Sequence, residues 1–170
     1  MAFIGIIGNN KDFNFIKKFI VKNINRENLS IINITKENIC NIDNVKIETI
    51  VINEKLNKFK KYGISLNKIL NNCKYIVVNS DMEIKDITFP AKLIEFITYG
   101  LNQKSTITIS SITDENILLS IQRNITNKNS DIIEVQEKNI FLNNKKVKVY
   151  SILILYTIFT LYSIPFPSEI

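Results

Sequence analysis

The chain has no histidine and no tryptophan, and of its 170 residues only 4 are glycine, 3 proline and 2 cysteine. Each scarcity removes a class of function. Without histidine there is no Ser-His-Asp or Cys-His nucleophilic pair and no histidine-bearing zinc site. Cys40 and Cys73 lack C-x-x-C spacing, so two reduced, structural thiols in a cytoplasmic protein are expected. With no repeats and too little glycine or proline for a linker, the expectation is one domain over residues 1–170. The start Met1-Ala-Phe-Ile-Gly-Ile-Ile-Gly8 has no basic region and reaches glycine too early for the apolar stretch of a secretory leader.

The charge balance is basic without being concentrated. Lys and Arg total 22 against 16 Asp and Glu, for a formal charge of +6, and the basic residues are spread among Asn and Ile. Two loose clusters stand out, Lys55/Lys58/Lys60/Lys61 and Lys145/Lys146/Lys148. A nucleic-acid footprint requires a stripe of Arg and Lys with stacking aromatics. Phe59 and Tyr62 beside the first cluster are a thin version of it, so a solvated lysine face is the preferred reading and no nucleic-acid partner is expected.

What is present is an alternation of short apolar runs with helical periodicity. Ala2 to Ile7 is uncharged and suits a buried parallel strand, which Gly8-Asn9-Asn10 ends. From Asp12 to Ile24 the residues Phe13, Ile16, Ile20 and Ile24 recur at three and four, one face of a helix. Leu29–Ile34, Ile47–Ile52 and Tyr75–Val78 read as strands, with the polar stretch Glu37–Asn44 between the first two and a short helix capped by Ser65 before the third. Strands alternating with helices predict a parallel sheet. After Gly100, the stretches Thr106–Ile112, Ile117–Ile125 and Asp131–Phe141 read as successive antiparallel strands, with Asn127-Lys-Asn-Ser130 turning the second into the third.

Val149 to Pro167 carries no charge. About 20 apolar residues can span a bilayer, so a C-terminal anchor is one reading. Ser151, Tyr156, Thr157, Thr160, Tyr162 and Ser163 dilute the segment and Pro165 and Pro167 shorten it, so a buried helix is preferred and membrane association is not expected.

The order of Tyr75-Ile-Val-Val-Asn-Ser-Asp81, Phe96-Ile-Thr-Tyr-Gly100 and Thr106–Ile112 resembles the central, ATP-binding domain of the Mur ligases. Those enzymes join amino acids to cell-wall precursors, and their domain has a strand ending in Asn-Ala-Asp-Asp and another ending in Thr-Phe-Gly or Thr-Tyr-Gly. Val147-Lys-Val-Tyr-Ser-Ile-Leu-Ile-Leu155 with Ser163-Ile-Pro165 is similar in shape to the family's last helix, His-Asn-x-x-Asn-Ala-Leu-Ala-Ala, and its Gly-Ile-Pro turn. The resemblance implies an α/β fold, a mostly parallel Rossmann-like or P-loop-like sheet with flanking helices and a small antiparallel extension. The parallel part would cover 1–100, the extension 101–146 and the last helix 147–170.

It also implies where chemistry would sit. The family's phosphate loop, Gly-Thr-Asn-Gly-Lys-Thr-Thr, uses backbone N–H groups and the lysine to hold phosphates and a threonine hydroxyl to hold the metal. Gly8, Asn9, Asn10 and Lys11 can be set on that motif with one glycine deleted, while Asp12 and Phe13 stand where the threonines belong. The metal-managing glutamate after a central strand is out of register, with Asn53 first and Glu54 next, and the loop histidine is absent. Met82 replaces the second aspartate after Asn79 and Asp81, and the adenine-contacting asparagines align with Lys148 and Ser151. Asn79 and Asp81 could line a residual ligand pocket at the carboxyl edge of the sheet or cap the following turn. The turn reading is preferred.

The resulting expectation is a degenerate, stand-alone Mur-ligase-like domain with no catalytic set. ATP and magnesium binding is disfavoured, and Gly8, Asn9, Asn10, Lys11, Asn79, Asp81 and Ser151 are vestigial nucleotide or anion positions. Action would run through a protein partner or self-association, in the sphere of the cell envelope or sporulation. The enzyme alternative is a weak nucleotide-binding or hydrolysing protein using Lys11 and Asp81; the third is a small membrane-anchored protein.

Overall fold

The computed structural model describes residues 2–24, 29–82, 94–143 and 148–170. Lys145, Lys146 and Val147, and with them the expected start of the last helix, lie outside those residues. The fold is α/β, with a mostly parallel, mixed sheet flanked by helices and a separate small antiparallel pair of strands. The chain divides into two compact units, Met1–Phe96 and Ile97–Ile170.

In the first unit β1 (Ala2–Ile7) lies between β2 (Leu29–Asn33) and β3 (Thr49–Ile52), and β4 (Tyr75–Asn79) follows β3, all parallel. Continuous apolar runs fit strands covered on both faces. Gly5 lies under closely packed side chains: a Cβ there would lie 2.5 Å from Ile34 Cδ1, so that side chain would have to shift. Helix α1 (Asn10–Asn23) buries Phe13, Ile16 and Ile20, as the periodicity predicts, while Ile24 is its C-cap. Ile7, Ile50, Ile52, Ile76 and Val78 share one core with Leu66, Ile69 and Leu70 of α3 (Gly63–Asn72).

Two local expectations are corrected here. The polar stretch Glu37–Asn44 contains a helical turn, α2 (Ile39–Ile42), because Ile39 is drawn fully into the core. Ser65 does not cap a helix. A 3₁₀ turn over Leu56–Tyr62 runs straight into α3, so Ser65 is already inside it, buried, donating its hydroxyl to Asp43 Oδ2 at 3.0 Å.

In the second unit β6 (Ile107–Ile112) pairs parallel with β5 (Glu95–Tyr99) and antiparallel with β7 (Asn116–Ile121), which pairs with β10 (Gln136–Phe141). The expected strand Ile117–Ile125 stops at Ile121, and Asp131–Phe141 is divided. Ile125–Thr126 (β8) and Ile132–Ile133 (β9) form their own hairpin around Asn127–Ser130. Asn127 Oδ1 accepts from the N–H groups of Asn129 and Asp131, each at 2.9 Å, and Ser130 takes φ 70°. Helix α4 (Val149–Leu161) is buried from Ser151 to Phe159. A helix apolar on every side belongs in an interior, and among the described residues no helix is long and apolar enough to cross a membrane. Beyond it Phe166 meets Tyr156 and Phe159 edge to face, with ring centroids 5.4 and 5.1 Å away.

Candidate functional site

Every parallel strand of the first unit delivers an asparagine to its carboxyl end: Asn9 shortly after β1, Asn33 closing β2, Asn53 directly after β3 and Asn79 closing β4. The chain leaves β1 toward β2 and returns to β3 on the other side of β1. That reversal is the switch point at which open α/β sheets carry their ligand crevices.

At the switch point the asparagines are joined side chain to side chain. Asn9 caps α1, its Oδ1 accepting from Asp12 N–H at 2.9 Å, while its Nδ2 donates to Asp12 Oδ2 at 2.6 Å. Asn53 Nδ2 reaches the same carboxylate oxygen at 3.5 Å. Asn79, only 3% exposed, donates to Asn53 Oδ1 at 3.1 Å and accepts from Asp81 N–H at 3.0 Å. The chain of contacts runs Asp81, Asn79, Asn53, Asp12, Asn9. Beside it Asn33 Nδ2 donates to Asn10 Oδ1 at 2.8 Å.

The electrostatic consequence centres on Asp12. A helix N-terminus attracts an anion through its unpaired N–H groups and its dipole. Here the helix supplies the anion itself, as Asp12 stands in the first turn and Asn9 takes up its N–H.

Of the positions expected from sequence, Gly8, Asn9, Asn10, Lys11, Asn79 and Asp81 all lie at the carboxyl end of this sheet. Asn9 and Asn79 enter the network through their side chains, Asp81 through its backbone; Lys11 is exposed on the first turn of α1. Gly8 has room, since a Cβ would touch Asn53 Cβ at 3.5 Å. Ser151 belongs to the second unit, where it is buried on α4 with its hydroxyl unpartnered among the described residues. Glu54 turns to the helical side and pairs with Lys58 one turn on.

Sequence reasoning passed over Asp12 as a ligand of its own loop and Asn53 as a bridge. The signal that identifies them is an Asn at each strand end. It also passed over a cleft of about 200 Å³ beside Gly8, bordered by Thr35, Lys36, Glu37, Glu54 and Lys58 and floored by Ile34 and Phe59. The Glu37 carboxyl there is held below the usual range by the Thr35 hydroxyl first, then by its own backbone N–H and by neighbouring Lys36. Among the described residues no group of three or more Cys, Asp or Glu side chains converges on a point that could hold a metal ion. Comparison with protein-family models and with curated proteins finds no match.

Proposed function

We propose that this chain is a non-catalytic, Mur-ligase-like binding or regulatory module that works through a protein partner or through self-association, by analogy in the sphere of the cell envelope or sporulation. One observation carries the non-catalytic part. The Asp12 carboxylate, tied to Asn9 and reached by Asn53, stands at the helix N-terminus where the resemblance would seat a nucleotide phosphate. A fixed carboxylate there repels a triphosphate, since like charges held close together raise the energy of both. Phe13, buried at the following position, has no oxygen to offer a metal.

The test is calorimetric titration with ATP and magnesium, in which no saturable heat is expected at millimolar nucleotide. Tight binding lost in Lys11→Ala would overturn the reading and establish a nucleotide-binding protein in its place. Asp12→Asn, which removes the charge and keeps the shape, should raise whatever weak anion affinity exists.

A further inference from the structure

The ladder between β1 and β2 stops short of Gly8. Ile34 N–H donates to Ile6 O at 2.9 Å, and continued parallel pairing would next join Gly8 N–H to Ile34 O. The register instead ends with Ile6 against Asn33, and among the described residues neither Gly8 N–H nor Ile34 C=O has a hydrogen-bond partner. Beyond β2 the chain is held in a turn by Asn38, whose Oδ1 accepts from Thr35 N–H at 2.8 Å and whose Nδ2 donates to Asn33 O at 2.7 Å. The two chains part there, and both unpaired residues border the cleft of about 200 Å³.

Backbone polar groups set away from bulk water require partners, so the cleft holds one donor and one acceptor in need of a complement. The side chains around them repeat that pattern. Lys36 is exposed, and its ammonium makes no hydrogen bond or ion pair among the described residues. The Glu37 carboxyl beside it stays ionised, held first by the Thr35 hydroxyl. Glu54 and Lys58 pair with each other and add no net charge. Two lysines and two glutamates leave the rim neutral overall, which favours a ligand of zero net charge over a polyanion. Size points the same way, since the cleft is smaller than the ~300–1,000 Å³ of sites that take drug-sized molecules.

We propose that this cleft binds a small zwitterion of amino-acid size, its carboxylate accepting from Gly8 N–H and Lys36 Nζ and its ammonium donating to Ile34 C=O and the Glu37 carboxylate. Such a ligand completes the interrupted ladder with its own polar groups. The side chains of Asn9, Asp12, Asn53 and Asn79 do not border the cleft. The site is therefore separate from their network, and the proposal goes beyond the non-catalytic reading without resting on it.

The test is a titration of the full chain, followed through the backbone amide resonances of Gly8, Thr35 and Glu37. The probes are glycine, β-alanine and γ-aminobutyrate, zwitterions of increasing charge separation, with acetate and methylammonium as the two halves at matched ionic strength. At least one zwitterion should shift these amides saturably, and neither half alone should. Lys36→Ala and Glu37→Gln, both at exposed positions, should each weaken binding about tenfold through loss of a charge-assisted hydrogen bond. Unchanged resonances away from the cleft check that each variant keeps the fold. The proposal is overturned if no zwitterion saturates, which would leave water as the occupant of the gap. It is equally overturned if acetate alone binds as tightly, which would make this a plain anion site, or if either variant binds like the parent chain. Each of these results leaves the nucleotide titration, and hence the non-catalytic reading, untouched.

Discussion

Asn79 and Cys73 show how burial turns an ordinary side chain into a structural commitment. Asn79 is almost wholly buried and both ends of its amide are used. Replacing it with alanine removes the donor to the Asn53 side-chain oxygen and the acceptor of the Asp81 N–H, so Asn79→Ala should cost on the order of 1–3 kcal/mol in urea denaturation. A change too small to measure would mean that water replaces the amide and that the network is not a structural unit. Cys73 is buried, its thiol donating to Leu70 O at 3.1 Å, and burial raises its pKa from the usual 9.0 to about 11. Below pH 9 both folded and unfolded chains hold the proton and the stabilisation is complete. Between about pH 9 and 11 the unfolded thiol releases its proton while the folded one retains it, so stability falls as pH rises. Tyr156, also raised by burial, acts in the same direction. The urea midpoint should drop across that window, less steeply in Cys73→Ala; equal slopes would show that Cys73 carries none of the effect.

Among the elements, α1 and α4 are stabilised by different means. Helix α1 is amphipathic and begins on a side-chain cap, which makes its first turn sensitive to one residue. Asn9→Ala should cost about 1 kcal/mol, seen as a lowered melting temperature, and it frees the Asp12 carboxylate from its closest donor. Helix α4 has no side-chain cap and no polar face; Leu155 is fully buried within it. Leu155→Ala should cost about 2–5 kcal/mol through lost transfer energy and the cavity left behind, and a loss below about 1 kcal/mol would mean the site collapses freely. The strands β1 to β6 and the face of α1 were legible in sequence because apolar runs and a three-and-four period survive in any packing. The division of Ile117–Ile125 was not. Its alternation continues past Ile121, and what ends β7 is its partner: Gln122 N–H makes the last bond, to Thr106 O at 2.8 Å, just before β6 begins.

For the molecule as a whole, the apolar C-terminal stretch decides whether the second unit folds. Full burial of large apolar side chains contributes about 1.5–3 kcal/mol each, while a whole domain is stable by only about 5–15 kcal/mol. A chain ending at Lys148 should therefore show unprotected amides along β6, β7 and β10 in hydrogen exchange. Protection there at native levels would prove that the sheet does not need α4.

Sequence alone determined the α/β class, the apolar character of the parallel strands β1 to β4 and the lack of histidine chemistry, because these depend on residue type and on spacing within one element. It also placed Gly8 to Lys11 and Asn79 to Asp81 at strand ends. Only the tertiary structure decided that Asn9, Asp12, Asn53 and Asn79 touch, since they come from three strand ends that lie side by side only once β3 has returned to flank β1. The same holds for β10. That it is an edge, and that Ser168–Ile170 covers it, follows from which strands pair and in what register, and pairing between distant segments is a property of the folded chain that no local pattern encodes.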